Sequence, residues 1–515
     1  MFCRVHSGAI YGIEGIPIEV EVDLSDGLPS LNMVGMLAAE IKESSERIRT
    51  ALKNSCFFIP PKRVTVNLSP ANIRKQGTFY DLPIAVGILS NMGYIKKESL
   101  EKVLIIGELS LDGRINSVKG ILPIVYAAKQ ANLSYCIVPK ENAKEGAVVE
   151  QIKVIGVHCL KEVQKVLENP EQFQPEKMED FNSRTERKEK VDFSEVNGQE
   201  ALKRAVQIAA AGMHNFLMIG PPGSGKTMIA RRIPTILPPM TLEESIEITK
   251  IYSVAGLLSK QQPFIMERPF RAPHHTITAS SLVGGGTIPR PGEISLSNYG
   301  VLFLDELPEF SKTVLEVLRQ PMEDRKVIVS RVYGSYEFPT NFMLVAAMNP
   351  CNCGYYPDRN RCNCKETEVL RYLGRISRPL LDRIDICMEV SQIEYADMRR
   401  GEKARIKLKN EDSNIMQRRV IQARERQKIR YRDEKIFSNS ELSNAQIQKY
   451  CKIDLAGEHL LEQAFSRFNL TARGVHRILK VARTIADLEE KEEITRQHLS
   501  EAICYRSVAI HTLDR

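Results

Sequence analysis

Gly220-Pro221-Pro222-Gly223-Ser224-Gly225-Lys226-Thr227 follows the pattern G-x-x-x-x-G-K-[ST] without a break. Glycines at these spacings let successive backbone N–H groups turn inward around phosphate oxygens at a helix N-terminus. Lys226 then supplies charge to the β and γ phosphates and Thr227 a hydroxyl to Mg2+, so the motif predicts a site for ATP. Two further stretches carry matching chemistry. Gly300-Val-Leu-Phe-Leu-Asp305-Glu306 is an apolar run ending in two acids. It reads as a buried parallel strand that brings Asp305 to Mg2+ through water and Glu306 to the water that attacks. Phe342-Met-Leu-Val-Ala-Ala347 reads as another buried strand, followed by Met348-Asn349-Pro350. An amide at Asn349 can bond both the γ-phosphate and the water; a plain turn residue ahead of proline is the competing reading.

Four cysteines follow directly. Cys351-Asn-Cys353 and Cys362-Asn-Cys364 are two C-x-C pairs with eight residues between them. Four thiolates can enclose a tetrahedral structural Zn2+, with the loop-like stretch 355–361 folding around it. C-x-C pairs are tighter than C-x2-C knuckles, which leaves plain reduced thiols as the alternative. His274 and His275 have no acid or cysteine at ligand spacing, so a local structural or pore-loop role is expected for them.

Positioning these groups requires a strand before the phosphate loop, read at 216–219, and a helix after it, read at 228–233. Upstream, strand and helix signals alternate through about residue 165. Strands are expected at 5–12, 16–24, 64–68, 103–109 and 135–138. Helices are expected at 38–54, with Ile41, Ile48 and Leu52 on one face, and at 82–92 and 118–130. Residues 169–190 are rich in Pro, Glu, Lys and Arg and read as a linker. The fold class is α/β, and the expected organisation is 1–165, a linker 166–190, a nucleotide-binding core 191–393 carrying the four-Cys insertion 351–364, a basic helical connector 394–436 and C-terminal helices 437–515.

Composition bounds the rest. The chain has 515 residues, 43% hydrophobic and 26% charged, with 11 Cys and no Trp. That suits a soluble protein of about three folded units and excludes a small disulfide scaffold. The absence of an apolar run of about 18 residues or a signal-like N-terminus predicts a cytoplasmic protein with no membrane partner. Charge is uneven: residues 399–435 hold 14 Lys+Arg and 6 Asp+Glu, a surplus of eight equal to the chain's net +8. Arg418, Arg419, Arg424, Arg426, Lys428, Arg430 and Arg432 could ring a solvated helix or contact nucleic acid. Residues 325–336 alternate and turn at Gly334, which reads as a β-hairpin whose Lys326, Arg331, Tyr333 and Tyr336 could meet phosphates and bases. An ordinary exposed hairpin would look similar.

Several segments resemble known families. Gly107-Glu-Leu-Ser-Leu-Asp-Gly113 with Val118-Lys-Gly-Ile-Leu-Pro-Ile-Val-Tyr-Ala-Ala128 is similar to the protease domain of Lon, a ribosomal-protein-S5-domain-2-like fold. That resemblance puts Phe79 at the nucleophile position and Leu122 at the lysine position, with Thr78 and Lys119 as neighbours. It therefore implies a non-catalytic docking or oligomerisation module. The phosphate loop, the Asp305-Glu306 strand and Asn349 together resemble an AAA+ ATPase, in which Phe193-Ser-Glu-Val196-Asn-Gly198-Gln199 would line the adenine pocket. Arg268-Pro-Phe-Arg-Ala-Pro-His-His-Thr276, residues 291–306 and Pro379-Leu-Leu-Asp-Arg383-Ile-Asp385 are similar to the magnesium-chelatase branch, and the whole arrangement resembles the ComM/YifB family.

The resemblance implies an S5-domain-2-like N-terminal domain, an AAA+ parallel-sheet core and a helical lid. It implies an arginine finger acting in trans at Arg383, with Arg375 and Arg378 as the alternatives, and a sensor-2 arginine at Arg473, with Arg477 as the alternative. It further implies a homo-oligomeric ring, a hexamer, with the hairpin in its pore. The expected function is an ATP-driven helicase on single-stranded or branched DNA, performing branch migration during DNA uptake and recombination. A chelatase-type motor remodelling a protein partner and a nucleotide-gated scaffold stand as alternatives. The chain lacks the Asp-x-Ser-x-Ser stretch that would support the first, and the intact Asp305-Glu306 pair argues against the second.

Overall fold

The computed structural model describes residues 1–178, 191–259, 261–286, 289–332, 334–391, 411–434 and 436–513. Tyr333, residues 179–190 of the expected linker and the first part of the basic segment lie outside them. No helix among the described residues is long and apolar enough to cross a membrane.

The N-terminal region is built on alternation. Phe2–Tyr11 and Glu14–Ser25 pair antiparallel, with Tyr11 opposite Glu14, and Ile18, Val20, Val22 and Leu24 all point inward. The seven-stranded sheet runs Ser30–Val34, Arg63–Ser69, Glu14–Ser25, Phe2–Tyr11, Val103–Ile105, Tyr135–Pro139, Lys153–Val157. The last strand and the helix Leu160–Glu168 go beyond the elements read from sequence. Two expected elements are broken. The strand expected at 103–109 leaves the sheet after Ile105, because Gly107 exchanges backbone hydrogen bonds with Phe79 and Leu82 instead. The helix expected at 38–54 is two, Ala39–Lys42 and Ser44–Asn54, where the Ser44 hydroxyl donates to the Ile41 carbonyl at 2.7 Å and competes with the helical ladder.

The core sheet is parallel, in the order Phe270–Arg271, Val301–Leu304, Met343–Met348, Phe216–Ile219, Ile386–Glu389. Its pleat divides the interior. Phe216, Met218, Val345 and Ala347 join the helix Glu200–Gly212 and the C-terminal helices, while Leu217, Ile219, Leu344 and Ala346 pack on the opposite face. The C-terminal helices are Ser413–Arg430, Asn444–Tyr450, Leu455–Phe468, Ala472–Leu488 and Arg496–Leu513. Ser413–Arg430 is part of this packing through Met416, Val420 and Ala423. Three of its arginines are spent internally: Arg419 on Glu411 at 2.8 Å, Arg426 on Glu490 at 3.1 Å, and Arg430 on the buried Asp487.

The expected hairpin is longer than read, Lys326–Arg331 against Gly334–Pro339, and it turns one step earlier, since Arg331 already faces Gly334. Tyr336 is not a free ring for base stacking. It is 9% exposed and packs on Tyr11, ring centroids 4.6 Å apart. Lys326 pairs with Glu337 at 3.1 Å, whereas the tip residue Val332 is 94% exposed. The N-terminal hairpin thus grips this one. The Tyr11 hydroxyl donates to the Ser335 carbonyl at 2.9 Å, Glu14 pairs with Lys250 at 2.9 Å, and Ile13 is buried with Val327, Val329 and Phe338.

Candidate nucleotide site

The strand Phe216–Ile219 lies between Met343–Met348 and Ile386–Glu389, so the phosphate loop emerges at the carboxyl edge of the sheet beside Asn349. Gly220 must be glycine: a Cβ there would sit 2.4 Å from the Val390 carbonyl oxygen. Gly223 and Gly225 take φ of +75° and +86°, and a Cβ on either would meet nothing within 4 Å. The loop therefore wraps an open concavity, as a polyphosphate cradle requires. The helix that follows is Lys226–Ala230 rather than 228–233, and a separate turn, Ile233–Ile236, begins beyond it. Pro234 has no N–H to give the carbonyl four residues back, so the two cannot fuse.

Lys226 is buried at the base of the loop. Its ammonium donates to the carbonyls of Gly220 at 2.7 Å and Pro221 at 2.9 Å and to Asn349 Oδ1 at 3.2 Å. Burial lowers its pKa, while Asp305 and Glu306 pull it back upward. The Thr227 hydroxyl donates to Asp305 Oδ2 at 2.7 Å, which brings together the two oxygens that would hold Mg2+. Glu306, in the left-handed region at φ +53°, turns its carboxylate out of the strand to 60% exposure. The expected nucleotide residues are thus brought to one place. Gln199 joins them, donating to the Ser224 carbonyl at 3.1 Å.

The arginines divide differently. Arg383 is buried in its own subunit: Nη2 pairs with Glu323 at 2.8 Å, and Nε and Nη1 donate to the carbonyls of Arg319 and Pro379 at 3.2 and 2.6 Å. That is not the posture of an outward finger. Arg473 is 65% exposed and approaches the same Glu323 at 3.8 Å. Arg375 pairs with Glu309 at 2.9 Å and is also exposed, as is Arg378. Arg477 turns inward, onto the buried Asp385 and the Arg383 carbonyl.

The four cysteines converge. Cys351 Sγ lies 3.3 Å from Cys353 Sγ and 3.8 Å from Cys362 Sγ, Cys353 and Cys362 are 3.5 Å apart, and all four sulfurs fall within 4.8 Å of one another. A tetrahedral ion with Zn–S bonds of about 2.3 Å needs S–S edges of about 3.8 Å, so the donor set and its size fit Zn2+.

Comparison with known proteins gives the family. The family model described as "Magnesium chelatase, subunit ChlI" matches residues 192–398, and the models for "Subunit ChlI of Mg-chelatase" and its C-terminal part match 20–142 and 410–506. The protein YifB of Salmonella typhimurium is 41% identical over 505 residues, covering 98% of this chain and 97% of its own length. The competence protein ComM of Haemophilus influenzae is 40% identical over 509 residues, with 98% and 97% covered. The chain belongs to the ComM/YifB family. Its core and C-terminal region are those of a magnesium-chelatase-like AAA+ protein.

Lon protease 2 of Bacillus subtilis is 28% identical over 181 residues, in keeping with the Lon-like N-terminal region. There the Phe79 ring lies tilted against Tyr80, centroids 4.6 Å apart, and Leu122 is fully buried. Thr78 donates its hydroxyl to Glu108, and Lys119 lies against Gly256 of the core. His275, expected from sequence in a local structural or pore-loop role, stands beside the nucleotide site, a place its spacing did not predict. His275 Nδ1 lies 3.8 Å from Glu306 Oε2, with the His274 ring tilted against it, centroids 4.1 Å apart. The available signal was Phe270-Arg271, the edge strand, which pairs in parallel with Val301 and Leu302 and so delivers the next residues to the same sheet edge.

Proposed function

We propose that this protein is an ATPase that assembles as a homo-oligomeric ring, a hexamer, and couples hydrolysis to movement of single-stranded or branched DNA. The observation that carries the catalytic half is the meeting of Lys226, Thr227, Asp305, Glu306 and Asn349 around one open loop. Lys226 neutralises the terminal phosphates, Asn349 orients the γ-phosphate and water, and Glu306 polarises that water. Thr227 and Asp305 would hold a Mg2+ ion, which would supply positive charge against the charge developing on the phosphate. The four thiolates would hold a structural Zn2+ that takes no part in the bond-breaking itself.

Charge on the γ-phosphate at the transition state calls for a guanidinium from a neighbouring subunit. Arg473 faces outward already, whereas Arg383 reaches a neighbour only after releasing Glu323. The DNA half rests on the family, one member of which is named a competence protein, and on an exposed hairpin tip beside Arg331. Branch migration during uptake and recombination of DNA is the activity this combination supports best.

The test is one reaction: purified protein, ATP and a labelled branched junction, with turnover and junction resolution followed together and Glu306→Gln as control. DNA-stimulated turnover and ATP-dependent resolution, both lost in Glu306→Gln while ATP binding persists, is the expected result. Turnover indifferent to DNA with the junction intact would instead favour remodelling of a protein partner.

A further inference from the structure

The four-cysteine loop sits against the nucleotide site at both of its ends. It starts two residues after Asn349, the partner of Lys226. It ends at Cys364, from which the helix Glu366–Leu373 returns so that the Tyr372 hydroxyl engages the Asn349 backbone. Between these ends the loop touches the phosphate loop itself. Gly354, at φ +87°, packs so closely that a Cβ would lie 2.4 Å from Pro222 Cδ and 2.8 Å from Pro222 Cγ. The Gly354 N–H in turn donates to Cys351 Sγ at 3.2 Å, the bond by which a backbone amide steadies a metal-bound thiolate.

We propose that the cysteines hold one Zn2+ and that this ion braces the phosphate loop, fixing Gly354 against Pro222 and Asn349 against Lys226, so that metal loading sets nucleotide affinity. The proposal rests on the reading of this loop as an ATP site. Its physical basis is loop entropy. Fourteen residues span Cys351 to Cys364, and without a cross-link the stretch between the two buried cysteines must be ordered by side-chain packing and turn contacts, at a cost in chain entropy that a metal would offset. Cys351 and Cys362 are buried in the core on one side of the parallel sheet, with Tyr355 and Tyr356 packed against it, while the described contacts of the exposed tip include cation–π pairs of Arg359 and Arg361 with Tyr356 and Tyr355 and turn hydrogen bonds. If the unbraced loop is in its binding posture about a tenth of the time, the apparent Kd rises about tenfold.

The experiment uses the full chain and three measurements: metal content by mass spectrometry, affinity for a fluorescent ADP, and ATP turnover. Zinc is stripped with a thiol-reactive mercurial, the thiols are regenerated with a reductant, and Zn2+ or Mg2+ alone is added back. The expected result is about one zinc per chain, fluorescent-ADP binding weakened about tenfold on stripping, and recovery with Zn2+ but not Mg2+. Gly354→Ala is expected to keep its zinc yet bind nucleotide more weakly, because its methyl displaces Pro222. Lys226→Ala is expected to keep its zinc and lose nucleotide. Zinc absent from the purified protein, or affinity unchanged by stripping, overturns the proposal. Zinc-dependent nucleotide binding without turnover would leave the brace standing and refute the ATPase reading instead.

Discussion

Replacing Arg477 by Met keeps a long apolar stem and removes the guanidinium, which isolates the buried charge beneath it. Asp385 is 4% exposed, with Oδ1 on Arg477. Oδ2 accepts the Asn215 N–H at 3.0 Å and lies 3.5 Å from His214 Nδ1. Burial alone would push the Asp385 pKa up; Arg477 first and His214 next hold it well below the usual carboxylate range instead. Without Arg477 the carboxylate stays buried and largely uncompensated, a loss of about 3–5 kcal/mol. The cost falls on the docking of Ala472–Leu488 against the entry to the strand Ile386–Glu389, because Asp385 immediately precedes that strand and Arg477 lies on that helix. A folded pKa below the unfolded value of 3.8 means that the pair stabilises above about pH 4 and is lost as pH falls, so the full effect is present at neutral pH. Hydrogen exchange of peptides within 472–488 at pH 7 should therefore accelerate by roughly a hundredfold or more in Arg477→Met. Asp385→Asn combined with Arg477→Met removes the stranded charge and should recover much of the protection. Exchange within a fewfold of wild type in the single variant, or a double variant no better than the single, would refute the reasoning.

Three further outcomes are expected. Mixing inactive Arg473→Ala subunits with inactive Lys226→Ala subunits should restore turnover that neither shows alone, because a ring then contains sites with an intact loop facing an intact arginine; the same mixture with Arg383→Ala decides which arginine acts in trans. Gly220→Ala should lower stability by about 1–3 kcal/mol and abolish fluorescent-ADP binding, since its methyl would meet the Val390 carbonyl oxygen at 2.4 Å and backbone there has no room to yield. Asp81 is 1% exposed and paired with Arg47 at 2.9 Å, and burial raises its pKa from 3.8 to about 6 despite that pair. A raised folded pKa gives stability that is complete below about pH 4 and lost as pH rises through 6, a swing of about 3 kcal/mol that the melting temperature of Asp81→Asn should not show.

What could be read from sequence was chemistry carried by one strand and the turn after it. The phosphate loop, Asp305-Glu306 and Asn349 each follow a buried apolar strand, and parallel strands put their carboxyl ends on one edge, so local pattern was enough to assemble them. What could not be read depends on partners far away in the chain. Arg383 is turned inward by Glu323, on the helix Arg319–Asp324, and no spacing announces that contact. Tyr336 has the composition of a base-stacking ring, but its partner is Tyr11, on the first strand of the N-terminal sheet. That contact also ties the N-terminal region to the core: Tyr11, Ile13 and Glu14 hold the hairpin and the helix Leu242–Ala255 beside it. Movement of the hairpin during an ATP cycle must therefore either break the Tyr11–Ser335 and Glu14–Lys250 contacts or carry the Lon-like region with it. Since the first pair is a single neutral hydrogen bond and the second is partly exposed, each is worth about 1 kcal/mol, and the burial of Ile13 among Val327, Val329 and Phe338 is the larger obstacle to separation. The two regions are accordingly expected to move as one body around the hairpin's exposed tip.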